Sequence, residues 1–144
     1  MDWVEPGLAI GNLDDAMAQS ALRNAGIRSV LTLSGFPSYP RPGGLEWRFL
    51  PLVDGAGNSV SEFGEAIAHV TDLHAEYPGV LVHCAEGKSR SVVIVALYLA
   101  RIRAWSPERA LEHVTERRRV ALPDDLLWEQ ARAYFDESGR STGL

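Results

Sequence analysis

Nine consecutive residues, His83-Cys84-Ala85-Glu86-Gly87-Lys88-Ser89-Arg90-Ser91, put a thiol, a guanidinium and two hydroxyls into one short stretch of chain. Val80-Leu81-Val82 precedes them and Val92-Val93-Ile94-Val95 follows, so the stretch reads as a loop leading from a buried strand into a buried helix. A tight loop of this kind aims several backbone N–H groups at one point, and the helix dipole adds partial positive charge there. Gly87 lets the backbone turn inward. Arg90, six residues after Cys84, brings a planar fork that can hold two phosphate oxygens at once, which a lysine cannot do. Ala85, Glu86, Gly87, Lys88, Ser89 and Arg90 are therefore the candidate phosphate-binding loop. The field that binds phosphate also favours a thiolate, which makes Cys84 the candidate nucleophile. Ser91 could give its hydroxyl proton to the departing sulfur, and His83 could order the loop by hydrogen bonding to its backbone.

Cleavage of a phosphate ester also needs a proton for the leaving oxygen. Asp54, in Leu52-Val53-Asp54-Gly55-Ala56-Gly57, follows a predicted strand and sits on a glycine-flanked, flexible loop able to close over substrate, so it is the candidate general acid. In a second step the same carboxylate would act as base toward water. Asp72 is set aside because it falls on the exposed face of a predicted helix. The chemistry uses no cofactor and no metal, and the sequence has no cluster of His, Cys and carboxylates with ligand spacing. His69, His74 and His113 are expected at the surface. Glu86 and Lys88 are expected at the mouth of the site, and Phe36 and Tyr39 at its rim or packed beneath their loop.

The segment HCAEGKSRS matches the HC-x5-R-[ST] signature of the protein tyrosine phosphatase superfamily at His83, Cys84, Arg90 and Ser91. Asp54 stands 30 residues before Cys84, a layout that resembles the dual-specificity branch. The resemblance runs from GLAIGNLDDA through the helices after the loop. It implies a metal-independent phosphomonoester hydrolase working through a cysteinyl-phosphate intermediate, with Cys84 as nucleophile, Arg90 as phosphate clamp and Asp54 as acid and base. The implied partner is a phosphorylated protein or peptide carrying phosphotyrosine, with phosphoserine and phosphothreonine also permitted. A phosphoinositide or other phospholipid head group is the alternative, motivated by Lys88 and opposed by Glu86. A phosphate-binding module without turnover is the alternative of another class, opposed by the presence of Cys84, Arg90 and Asp54 together. The low-molecular-weight phosphatases place Cys-x5-Arg near the N-terminus, and rhodanese-like domains lack the His-Cys…Arg-Ser frame, so both fit less well.

The elements needed to hold these residues follow from periodicity. Short strands around the Pro6-Gly7 turn lead to a helix over 14–25, capped by Asn12 or Asp14 and ended by Gly26. A buried strand over 27–33 follows, and the helical crossover before it implies parallel pairing. Residues 34–44 form a Pro/Gly-rich loop, 45–50 a short strand and 61–76 an amphipathic helix ended by Pro78-Gly79. After the strand at 80–82, helices are expected over 91–103, 107–118, and from Asp124 or Asp125 to 137. The fold class is α/β, with a central, mostly parallel twisted sheet of about four to five strands flanked by helices. One catalytic domain over 1–138 is expected, with 139–144 a flexible tail.

With 144 residues, 46% hydrophobic and 23% charged, the chain has the composition of one ordinary globular domain. A net charge of −5 argues against nucleic acid as a partner and against stable membrane association. The one cysteine excludes an internal disulfide, and no apolar run is long enough to span a bilayer. The first residues lack the pattern of a secretory signal. A cytoplasmic monomer is the expectation. Arg117, Arg118 and Arg119 are read as complementing a helix C-terminus and as solvated charge rather than as a recruiting patch.

Overall fold

All four side chains of the strand Val80–His83 are buried, which requires sheet neighbours on both edges and helices on both faces. The computed structural model describes residues 1–35 and 44–142 and meets that requirement. Among the described residues five strands form one sheet: β1 (Asp2–Glu5), β2 (Leu8–Gly11), β3 (Ser29–Thr32), β4 (Glu46–Phe49) and β5 (Val80–His83). Their order is β1-β2-β5-β3-β4; β1 is antiparallel to β2, and the other neighbours are parallel. Leu8, Ile10, Leu31, Val80 and Val82 face one core cluster, whereas Ala9, Val30 and Leu81 face a second, as the two-residue period of a strand dictates.

The first cluster is covered by α3 (Val60–Glu76), α4 (Arg90–Arg103), α5 (Pro107–Arg117) and α6 (Asp125–Thr142). Ser59 and Glu62 form a capping box at the start of α3, and Phe63, Ala66, Ile67, Val70 and Leu73 are its buried stripe. Ser91 to Ala100 are buried without interruption in α4, the innermost helix. In α5, Ser106 caps the helix by accepting from the Arg109 N–H, with Pro107 at its first position.

The second face is covered by two short helices, α1 (Leu13–Met17) and α2 (Gln19–Asn24), where the sequence predicts one over 14–25. The chain breaks at Ala18, whose φ of −82° and ψ of 66° leave the helical region. Packing explains the break. Ala16 and Leu22 both enter the second cluster, yet six residues along a continuous helix would separate them by roughly 120° around its axis.

Helix α6 continues to Thr142; Arg101 of α4 donates to Ser138 Oγ at 2.6 Å and lies over the Phe135 ring. Two further expectations change. His74 and His113 are half-buried rather than superficial. His74 Nε2 donates to the Pro6 carbonyl at 3.0 Å, so in the neutral ring its Nδ1 accepts from the Tyr98 hydroxyl at 2.6 Å, and His113 Nε2 bonds the Val4 carbonyl at 2.9 Å. Phe36 and Tyr39 lie outside the described residues.

Candidate active site

The parallel strands β2, β3 and β5 all end on the same side of the sheet, and the loop from Cys84 to Ser89 leaves from the middle of that edge. Gly87 lies at φ 66°, and a Cβ there would come within 2.5 Å of the Gly11 carbonyl oxygen and of Arg118 Nη2. Only glycine fits.

Three loop carbonyls are engaged by donors from other segments of the chain. Ala85 O accepts from the Leu13 N–H at 3.0 Å, Lys88 O from the Leu122 N–H at 2.8 Å, and Gly87 O from Arg118 Nε at 2.6 Å. In a trans peptide the C=O and the following N–H point in opposite directions, so these bonds turn the N–H groups of Glu86, Lys88 and Ser89 the other way. They face a cavity of about 320 Å³ lined by Asp54, Cys84, Ala85, Glu86, Lys88, Ser89, Arg90 and Leu122. A larger groove of about 510 Å³ between the first hairpin and α5 contains none of the residues singled out from the sequence as catalytic.

Cys84 is 2% exposed at the base of this cavity, with Ser91 Oγ 3.2 Å from its sulfur. Ser91 lies in the first turn of α4 with its hydroxyl on the thiol. His83 is fully buried, and burial pushes its imidazole down from an ordinary 6.5 to about 4, so it is neutral at pH 7. Its Nδ1 lies 3.3 Å from the Cys84 carbonyl, which can only accept, so Nδ1 carries the proton and Nε2 accepts from the Thr32 hydroxyl at 2.8 Å. Arg90 donates from Nη1 to the Leu52 carbonyl at 3.3 Å. Its Nε is shielded from solvent without a hydrogen-bond partner among the described residues, leaving a guanidinium donor for an anion. Lys88 and Glu86 lie at the mouth, 3.8 Å apart, with Glu86 the more exposed of the two.

Asp54 reaches the same cavity from the loop after Leu52, with Oδ1 accepting from the Ser89 hydroxyl at 2.5 Å. That loop is folded on itself and bonded to α6. Asn58 folds it by accepting from the Val53 N–H and donating to the Val53 carbonyl, each at 2.8 Å, while Gln130 of α6 donates to the Ala56 carbonyl at 2.8 Å. Asp72 is exposed and bonds Arg48, away from the cavity. Among the described residues no three side chains of His, Cys, Asp and Glu converge as a metal site.

Arg118 corrects the reading of its triplet as solvated charge. It is 4% exposed and bridges Gly87 O to Asp2 Oδ2, the latter at 2.8 Å, behind the anion loop. A signal was present, since Ala110, Val114 and Arg118 recur at the four-residue spacing of a buried helical stripe. Asp124 caps α6, one of the two starts expected for that helix, whereas the closure of the acid loop by Asn58 and the bond from Ser89 to Asp54 had no signal in sequence position.

The family model described as "Dual specificity phosphatase, catalytic domain" matches residues 10–137. Dual specificity phosphatase 28 of Mus musculus is 33% identical over 132 residues, which cover 91% of this chain and 81% of the relative. Dual specificity protein phosphatase 1 of Arabidopsis thaliana is 30% identical over 122 residues, 84% of this chain, and the chain spans only 62% of that relative's length. The crystal structure of human DUSP28 superposes with a TM-score of 0.88 at 24% identity, covering 99% of this chain and 100% of that one, a likeness of fold.

Proposed function

The chain belongs to the dual specificity phosphatase catalytic-domain family, and from that premise we propose that it hydrolyses phosphomonoesters on proteins, phosphotyrosine foremost and phosphoserine or phosphothreonine after it. The observation that carries the proposal is the placement of Cys84 at the base of a cavity lined by inward-facing amides, with Asp54 on its wall. Arg90 and the loop amides hold three phosphoryl oxygens, and the Cys84 thiolate attacks phosphorus in line with the leaving oxygen. Asp54 protonates that oxygen as the P–O bond breaks, then takes a proton from the water that attacks the cysteinyl phosphate. Ser91 donates to the sulfur as it leaves, and His83 fixes the Cys84 carbonyl. Leu122, 74% exposed at the cavity wall, offers an apolar surface to an aryl ester. A phosphoinositide head group is less well supported, because Glu86 partly offsets the one lysine at the mouth.

The test is steady-state hydrolysis of para-nitrophenyl phosphate in EDTA by the wild type and Cys84→Ser, followed by phosphotyrosine and phosphothreonine peptides and phosphoinositides. EDTA-resistant turnover that disappears in the variant is expected, with peptides preferred over lipids. Turnover surviving in Cys84→Ser excludes the covalent route, and inactivity of the wild type on every substrate excludes the hydrolase.

A further inference from the structure

Ser89 stands between two groups that its position in the anion loop does not by itself connect. Its oxygen accepts from the Asp124 backbone N–H at 2.8 Å, and its hydroxyl donates to Asp54 Oδ1 at 2.5 Å. Asp124 is itself fixed as the cap of α6, with Oδ2 accepting from the Leu127 N–H at 3.0 Å. A serine hydroxyl has one proton. With a lone pair occupied by Asp124 N–H and the residue 7% exposed, that proton is directed at Asp54.

We infer that the Ser89 side chain is a positioning residue for the general acid: it holds Asp54 Oδ1 as an acceptor, so that the transferable proton resides on Oδ2, and it references that oxygen to the start of α6. The inference rests on the role proposed above for Asp54. In a protonated carboxyl the carbonyl oxygen is the better acceptor, so the bond from Ser89 to Oδ1 favours the form with the acidic proton on Oδ2. When Oδ2 gives its proton to the leaving oxygen, the carboxylate formed keeps the Ser89 bond through Oδ1, now charge-assisted. Rotation about the Asp54 side chain would otherwise exchange the two oxygens and swing the proton off the leaving-group line, and proton transfer is sensitive to such misplacement. The Asn58 and Gln130 bonds fix the backbone of the acid loop, and Ser89 fixes its carboxyl.

The distinguishing measurement is kcat/KM across aryl phosphates of graded leaving-group acidity, for the wild type, Ser89→Ala, Ser89→Thr, Asp54→Asn and the Ser89→Ala/Asp54→Asn double variant. Removing the hydroxyl leaves the loop N–H groups in place, so inhibition by inorganic phosphate is measured alongside as a check on the cradle. Ser89→Ala should lower kcat/KM for phenyl phosphate about tenfold, with a progressively smaller loss as the leaving group becomes more acidic. Ser89→Thr, which retains a hydroxyl, should recover most of the rate, and the double variant should be no slower than Asp54→Asn, since the two groups act as one unit. A loss equal for all leaving groups, or losses that multiply in the double variant, overturns the inference while leaving Asp54 as the acid. An Asp54→Asn variant whose rates show no leaving-group dependence removes Asp54 from the mechanism, and both readings fall.

Discussion

The hydroxyl of Ser91 lies 3.2 Å from the sulfur of Cys84, and both residues are closed off from solvent, Ser91 entirely. A hydroxyl so placed has few other partners to serve, and its value is greatest when negative charge returns to sulfur. Ser91→Ala is expected to slow hydrolysis of the cysteinyl phosphate more than its formation, lowering kcat about tenfold or more. Rapid mixing with para-nitrophenyl phosphate should then show a burst approaching one nitrophenolate per active site, and a variant with no burst and an unchanged kcat would contradict the assignment.

Gly87→Ala should damage the fold and the site together. The left-handed φ of 66° costs a non-glycine residue ~1–2 kcal/mol, and the added carbon meets the Gly11 backbone oxygen at 2.5 Å. Urea unfolding is expected to show a loss of at least ~2 kcal/mol. Phosphate inhibition should weaken in parallel, because any backbone shift moves the amides that face the cavity.

Arg118→Met keeps the length of a buried side chain and removes its hydrogen bonds to Gly87 and Asp2. Charged hydrogen bonds of this kind contribute ~2 kcal/mol, so the melting temperature should fall by roughly 6 °C. The variant should also bind inorganic phosphate more weakly, although Arg118 lies behind the loop and does not line the cavity. Unaltered phosphate affinity would limit Arg118 to a structural role.

His83 predicts a pH dependence with a definite sign. The unfolded chain takes up this proton near pH 6.5, whereas burial delays uptake in the folded protein to about 4. The unfolded state therefore binds more protons in between: stability is full above 6.5, declines as pH falls, and levels off below about 4. The window corresponds to ~3 kcal/mol. Urea titrations of wild type and His83→Asn from pH 7.5 to 4 should diverge by that amount, with the wild type losing more, and parallel curves would contradict the assignment.

The strand, anion loop and following helix were legible because an apolar run, a glycine and an arginine at fixed spacing constrain local conformation strongly. Asp54 was legible as a carboxylate on a loop, but its anchoring was not, since Asn58 closes that loop with bonds that many polar residues could make. The helix over 14–25 looked continuous because Ala18 carries no breaking signal; the break answers to the core positions of Ala16 and Leu22, a tertiary demand. Arg118 was obscured by its neighbours Arg117 and Arg119, since three adjacent charges suggest a wet surface although only one turns inward. The Ser89 bonds to Asp54 and Asp124 each span 35 residues, beyond the reach of local patterns.

The bonds behind the anion loop join segments distant along the chain: Arg118 reaches Gly87 across 31 positions and Asp2 across 116. Such closures are slow to form and are rewarded only when most of the topology is in place. A chain with β5 and α4 docked but α5 still loose would present Cys84 in a loop with one carbonyl unrestrained and one amide free to turn away. Completion of the anion loop therefore depends on the docking of α5, because the residue that ends that helix is the one that holds the Gly87 carbonyl.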